Sequence, residues 1–530
     1  MIIKDFNFQS NTEYVADKSV YKVTLEETIK LSDRSYILNN SKDIEYIHAA
    51  ILLKDLKNVV IDFNGATLLL DGEMQPFIID KCENITIKNV KIEYVRDFGS
   101  EFQIAKVTEN EMWLYQNEKQ KKYCPVTLRG DELIALSNYG EHVYPKTIGF
   151  LRAYDPETCE NSGVYLIRIG NDPFEAPKNY PYPYKALNIR AEGEYFVLSG
   201  EIPDVYKEGH VLFKTHGTRT LSSCLVARSK DVTLQNYRII NGAGMGILGM
   251  YAENLTIDGL KLYCDEESHG MCSNNADAMH LVGCHGKLNI INSRVESMMD
   301  DAFNIHTNYY VVQEINGKKI RARIFCATSG INAFFTAFGD GDNLLFYKGY
   351  TLLERSRNQI KTVKTLDMFD VEIELENDAS GIEVGDTIEN LSAHPEVLVK
   401  NCTFGKSLTH LRFQSREKIV MEDCVTTMPI YCTGDKEYWY EAGPLRDFTV
   451  RNCKFTGIRG IINLHPEVMD YLPEAPFYHK GIRILDNTFE NPTALIANNT
   501  DDIVFKGNKC STEGVPLRVI LNECGKCEID

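Results

Sequence analysis

The sequence contains no uninterrupted apolar run of about 18 residues, so it offers no helical span for a bilayer. It has no basic tract either. The formal charge is −18, which argues against nucleic acid and anionic membrane surfaces as partners. The same charge repels strongly anionic polysaccharides unless a local basic patch offsets it, and so leans toward a neutral ligand. The opening residues, MIIKDFNFQSNTEYV, lack the basic start, apolar run and small-residue cleavage site of a secretory signal. The expectation is a cytoplasmic protein, or a secreted or periplasmic one taken without its signal peptide. A disulfide framework is missing too, because the 15 cysteines are an odd and scattered set. The lone C-x-x-C, Cys524 and Cys527, has no partner pair or nearby histidines and reads as part of the core of a last coil. No 3.6-residue apolar stripe accompanies the strand patterns, which excludes helical and leucine-rich repeats.

What is present is one short recurring pattern: apolar, x, apolar, x, Asn or Asp, then a small or apolar residue. It reads Ile85-Thr86-Ile87-Lys88-Asn89, Val232-Thr233-Leu234-Gln235-Asn236, Leu255-Thr256-Ile257-Asp258-Gly259 and Leu288-Asn289-Ile290-Ile291-Asn292. It returns from Val397, Ile419, Phe448, Ile482 and Ile503. Where no insertion intervenes, the copies lie roughly 21 to 34 residues apart, the spacing of solenoid coils. Period-two alternation makes each copy a short strand with one buried face. The Asn or Asp falls where the chain turns, since its side chain bonds nearby backbone and tolerates left-handed geometry. Stacked coils would align these turns into an asparagine ladder. They would also stack Cys402, Cys424 and Cys453, which share one slot, as buried small residues. The fold class is therefore all-β: a right-handed parallel β-helix running the length of the chain, with two inserted small β-domains.

The insertions are the two intervals too long for one coil. The first contains strand patterns such as Glu111-Met112-Trp113-Leu114-Tyr115. The second carries Tyr309-Tyr310-Val311-Val312, Asn316-Gly317 and Lys319 to Ile324, a hairpin signature. The expected division is N-terminal coils over 1–95, a first inserted domain over 96–215, coils over 216–308, a second inserted domain over 309–393 and C-terminal coils over 394–530. Loops on one side of a solenoid commonly build its binding face.

Coil alignment places Asn275-Ala276-Asp277-Ala278-Met279-His280-Leu281 opposite Met299-Asp300-Asp301-Ala302-Phe303-Asn304-Ile305. Met279 and Leu281 match Phe303 and Ile305 as inward residues, so His280 and Asn304 should point out. Asp277 then lies one coil, about 4.8 Å, from Asp301 with Asp300 beside it, on what should be a solvent face. Like charges this close cannot all stay ionised, which raises at least one pKa and sets up a general acid beside a general base. The next coil adds Arg412 to the outward row, and beyond it come Asn463 and His465. Such a row presents the fixed donors and acceptors that sugar hydroxyls need, and Trp439 and Tyr440 offer rings for stacking on a pyranose. A single turn aspartate is ordinarily structural; three together beside a histidine and an arginine form a candidate site. His306 reads either as a satisfied residue or as a substrate ligand, and His269 is equally ambiguous. Several carboxylates together can also hold Ca²⁺.

These motifs resemble glycoside hydrolase family 110, the α-1,3-galactosidases of gut and marine bacteria. The likeness runs through Ala276 to His280, Met298 to His306, Trp439-Tyr440-Glu441-Ala442-Gly443-Pro444-Leu445-Arg446-Asp447, and His465-Pro466-Glu467. The resemblance implies a parallel β-helix whose two inserted domains are β-barrel-like, and an inverting exo-enzyme that releases terminal α-1,3-linked galactose without metal or other cofactor. Asp277, Asp300 and Asp301 would be its catalytic carboxylates. His280, Asn304, His306, Arg412, Trp439, Glu441 and His465 would bind a galactosylated oligosaccharide or glycan. Which aspartate is acid and which base stays open, as does a homodimer. Polygalacturonases share the Asp and Asp-Asp layout, but their Gly-His-Gly and Arg-Ile-Lys motifs are absent from the expected coils, which ranks them second. A polysaccharide lyase and a non-catalytic glycan-binding solenoid are the remaining alternatives.

Overall fold

In the computed structural model, every repeat quoted above pairs with the next in parallel register. Ile85 stands beside Val232, then Leu255, Leu288, Val397, Ile419, Phe448, Ile482 and Ile503. The structure describes residues 8–33, 36, 45–130, 132–137, 140–143, 149–158, 161–169, 185–216, 221–325, 338–367, 369–434, 439–467 and 474–530. The inward members of the repeats, from Val59 through Phe505, form one continuous apolar core along the solenoid axis. Parallel strands joined by such crossovers wind in the right-handed sense.

The turns between strands form the expected ladder. Asn58, Asn84, Asn89, Asn236, Asn254, Asn292 and Asn401 all sit at positive φ. The Asn84 amide donates to Asn58 at 2.9 Å, Asn236 to Asn89 at 3.0 Å and Asn401 to Asn292 at 2.8 Å. Each side chain answers the one in the next coil, so the ladder satisfies polar groups that left-handed turns leave without a strand partner. Cys402, Cys424 and Cys453 are buried in the core beneath it, as free thiols. Cys524 and Cys527 are half-buried and free, packed against the end of the same core.

Both long intervals are β-barrels. Gly99–Val107, Glu111–Tyr115, Gly149–Tyr154, Asn161–Ile169, Lys185–Glu192, Tyr195–Ser199 and Val211–Thr215 close into the first, around its own core. The second is closed by Phe303–Asn316, Lys319–Arg323, Asn343–Tyr347, Glu354–Thr365, Asp370–Leu375 and Thr387–Asn390. Its first hairpin turns at Asn316-Gly317, with Asn316 paired to Lys319. Phe303–Asn316 is continuous: its first half is a solenoid strand and its second half a barrel strand. The barrel is thus built directly on the strand that follows Asp300 and Asp301. Among the described residues, no helix is long and apolar enough to cross a membrane.

Candidate active site

The site lies on the second parallel sheet of the solenoid, where Met279–Val282, Phe303–Asn316, Leu411–Phe413, Ile430–Cys432 and Ile462–Leu464 lie side by side. His280 pairs with Asn304 and Asn304 with Arg412, the order that coil alignment gives. One further member was missed. Tyr431 pairs with Asn463 and lies next to Arg412, whose guanidinium stands 5.5 Å from the Tyr431 ring centre. The row therefore runs His280, Asn304, Arg412, Tyr431, Asn463.

The aspartates sit in the turns entering these strands. Asn274 bridges to Met298, which sets Asp277 beside Asp301 in the neighbouring coil. The Asn274 side chain donates to the carbonyls of Gly244, Ala276 and Asp277 and fixes the first turn. In the second turn, Ser407 donates to the Met298 carbonyl and Thr409 to that of Asp300. Asp301 accepts the His410 amide at 2.9 Å and pairs with Arg412 at 2.8 Å, an arrangement that suits a carboxylate. Asp277 has no comparable cationic clamp. Among the described residues, its hydrogen bond to a side chain is to His280, at 2.5 Å. Burial, reinforced by the charge of Asp300, pushes Asp277 up to about 7.

One expectation is corrected. The carboxylates do not stand on an open solvent face: Asp277 is 4% exposed and Asp301 5%, while Asp300 is half-buried. The insertions explain this. Met299 packs against Tyr154 and Phe213 of the first barrel. On the other side, Glu441–Ala442 pairs antiparallel with Thr307–Asn308, on the strand that continues into the second barrel.

That antiparallel pair brings Glu441 into the site. Its carboxylate accepts Asn304 at 2.9 Å and Gln414 at 2.8 Å, with Arg412 at 3.7 Å and His306 at 3.8 Å. Burial opposes its ionisation, but His306, Arg412, His280 and the Gln414 amide outweigh burial and hold it at about 2. Gly443 explains part of the surrounding motif. Its φ is +133°, and a Cβ there would lie 2.0 Å from the Gln414 carbonyl oxygen. A side chain would push Glu441 away from Gln414.

Of the residues named from sequence, Asp277, Asp300, Asp301, His280, Asn304, His306, Arg412 and Glu441 come together. His280 and His306 are buried and face each other, with Nε2 atoms 3.0 Å apart. Burial pushes His306 down to about 4. His465 is exposed at the far end of the row, bonded to Asn498 and stacked on Tyr431 at 6.4 Å. Trp439 stands 37% exposed two residues ahead of Glu441. His269 belongs elsewhere: it is buried at the junction of the first barrel with the solenoid, paired with Asp97 at 2.7 Å and Glu93 at 3.3 Å. Missed from sequence were Tyr431, Gln414 and His410, whose ring lies 4.9 Å from that of Tyr431. Among the described residues, no group of three or more His, Cys, Asp or Glu side chains is arranged to hold a metal ion.

Comparison with known proteins gives a consistent picture. No family profile matches the chain. It is 27% identical over 513 residues to a protein named α-1,3-galactosidase B from Bacteroides thetaiotaomicron, covering 90% of this chain and 77% of that one. It is also 27% identical over 528 residues to one named α-1,3-galactosidase A from Bacteroides fragilis, covering 93% and 82%. Among solved structures, a polygalacturonase from Erwinia carotovora aligns over 97% of this chain and 89% of its own, at 10% identity and a TM-score of 0.37. The resemblance read from the motifs is borne out along nearly the whole chain, which is a homologue of bacterial proteins named α-1,3-galactosidase.

Proposed function

We propose that this protein is an exo-acting glycoside hydrolase that releases terminal α-1,3-linked galactose with inversion. The observation that carries the reading is the contrast between two carboxyl groups in adjacent coils. Asp301 is held by Arg412 and an amide, whereas Asp277 is buried beside other acids and keeps a proton near neutrality. A carboxyl group that keeps its proton, set one coil from another that is gripped by a guanidinium, suits the division into acid and base. In this reading Asp277 protonates the departing glycosidic oxygen. Asp300 or Asp301 removes a proton from the water that attacks the anomeric carbon from the opposite side, a geometry that needs the two groups ~6.5–9.5 Å apart.

Support for a sugar in the same place comes from the outward row. Asn304 is 4% exposed and its Oδ1 has no hydrogen-bond partner among the described residues, which suits a donor such as a sugar hydroxyl. Asn463 presents a second unpartnered buried Oδ1 farther along the row. The names of the homologues supply the sugar and the linkage, and the negative chain suits a neutral substrate better than a polyuronate.

The test is to incubate the protein with Galα1-3Gal and with a blood-group B oligosaccharide and to follow the products by proton NMR. β-Galactose should form first and mutarotate afterwards. No turnover of either substrate, or α-galactose as the first product, would refute the reading. A lyase would instead produce an ultraviolet-absorbing unsaturated product from uronate polymers, with or without Ca²⁺.

A further inference from the structure

The outward row that contains His280 has two unlike ends. On the N-terminal side His280 pairs with Leu248, Leu248 with Leu225 and Leu225 with Ile78. These three are buried in one apolar cluster with Tyr36, which leaves no open groove over those coils. On the C-terminal side exposure grows: His280 and Asn304 are buried, Arg412, Tyr431 and Asn463 half-buried, and His465 exposed. The outward residue after Asn463 is Ile496, where the polar row ends. A glycan whose terminal galactose meets the aspartates therefore extends along the solenoid over the C-terminal coils.

We infer that these coils carry a third sugar position, centred on Asn463, so that the preferred substrate is a glycan of at least three units. The inference rests on the galactosidase reading above. Register fixes the spacing. Asn304, Arg412, Tyr431 and Asn463 occupy successive coils, so three steps of ~4.8 Å, about 14 Å in all, separate the two asparagines. A pyranose ring is about as long as one step. Asn304 and Arg412, which share Glu441, flank the galactose, and the unit after it lies over Tyr431. Neither of these two units reaches Asn463. The third does.

The chemistry of that coil suits hydroxyls. Asn463 Oδ1 is buried and has no hydrogen-bond partner among the described residues, so it lacks the donor that a sugar hydroxyl would bring. The Tyr431 hydroxyl donates to Glu467 at 3.1 Å and holds a carboxylate that can accept further hydroxyls. Tyr431 is itself fixed between the rings of His410 at 4.9 Å and His465 at 6.4 Å, so this wall is ordered before a ligand arrives. His465 Nδ1 meets the Asn498 amide at 3.0 Å, which fixes that ring as well. An amide oxygen and a carboxylate at this position favour a neutral sugar over a uronate.

Galactose release from Galα1-3Gal and from Galα1-3Galβ1-4GlcNAc tests this. The wild-type kcat/KM should be about fivefold or more higher on the trisaccharide, the effect of one or two ordinary hydrogen bonds. Asn463→Ala should bring that ratio below about twofold, and Glu467→Gln should lower it less. Asn304→Ala, by contrast, should lower release from both substrates by similar factors. A wild-type ratio near one, or an Asn463→Ala loss shared equally by the two substrates, overturns the inference. Saturation-transfer NMR reads the position without turnover. With the trisaccharide on Asp300→Asn, the N-acetyl protons of the last unit should receive saturation, and adding Asn463→Ala to that protein should remove most of it. No transfer to the last unit refutes the third position. If the wild type releases galactose from neither substrate, the galactosidase reading fails, and saturation transfer to the last unit on the wild type still decides the position.

Discussion

Two buried acids sit close to the line where the second barrel meets the solenoid, and burial has opposite outcomes for them. Glu389 is fully buried on the barrel strand beside Tyr309. Arg416 grips it with two bonds of 2.7 Å, Tyr347 donates at 2.5 Å, and His394 lies 3.1 Å away. Burial alone would raise its pKa, yet Arg416, with His394, holds it well below the usual carboxylate range. Asp277 is almost as buried, meets one histidine and two neighbouring acids, and is raised to about 7. Burial therefore does not distinguish a structural acid from a chemical one; the partners do. Glu389 locks barrel to coil. Asp277, in the proposed reading, keeps a proton for the leaving group.

The largest effects should come from the chemical side. Asp300→Asn and Asp301→Asn should each lower galactose release by about 10²–10⁴-fold. The urea midpoint should move little for Asp300→Asn, whereas Asp301→Asn also gives up the pairing with Arg412 and should lower it. Wild-type turnover in both would erase the distinction. Next is the clamp. Glu389→Ala leaves Arg416 uncompensated and should cost about 3–5 kcal/mol of stability in urea titration; a loss below about 1 kcal/mol would make the clamp ornamental.

The two acids should also give opposite pH signs. Glu389 has a folded pKa below its unfolded one, so its stabilisation is present above about pH 4.5 and is lost as pH falls through the depressed value. Asp277 has a folded value of about 7 against 3.8, so the native state retains a proton that the unfolded chain has released. Its contribution makes stability decline as pH rises from about 4 to about 7. Urea midpoints across pH should show Asp277→Asn removing that decline and Glu389→Gln removing the acid-side loss; the same sign for both would sink the comparison. The smallest effect belongs to His269. Burial disfavours its charge, yet Asp97 and Glu93 raise it to about 9, so its stabilisation is whole below about pH 6.5 and fades as pH climbs through 9. His269→Gln should cost about 1.5–3 kcal/mol at pH 6 and much less at pH 10.

The solenoid was legible in the sequence because its strands and turns repeat. Period-two apolar positions and turn asparagines carry register, and register alone places His280 beside Asn304, Asn304 beside Arg412, and Asp277 beside Asp301. Tyr431 was legible in principle, since its strand, Ile430–Cys432, carries the same apolar-x-apolar pattern as Leu411–Phe413 and Ile462–Leu464 on either side of it. Glu441 was legible only through the motif resemblance. It enters on an antiparallel pair with Thr307–Asn308, which no coil repeat encodes. The burial of the aspartates was illegible for a related reason, since it depends on where Tyr154 and Phe213 of the first barrel meet Met299 in space. The close approach of the His280 and His306 rings depends on ring orientation, with His306 Nδ1 held at 2.7 Å from the Thr307 carbonyl, which sequence spacing does not carry.

The most direct test of whether Asp277 is chemical or structural is galactose release from Galα1-3Gal by Asp277→Asn, with the urea unfolding midpoint measured on the same preparation. Turnover should fall by at least about 100-fold while the midpoint stays at or above that of the wild type. Undiminished turnover, or a loss that appears only together with a collapsed midpoint, would contradict it.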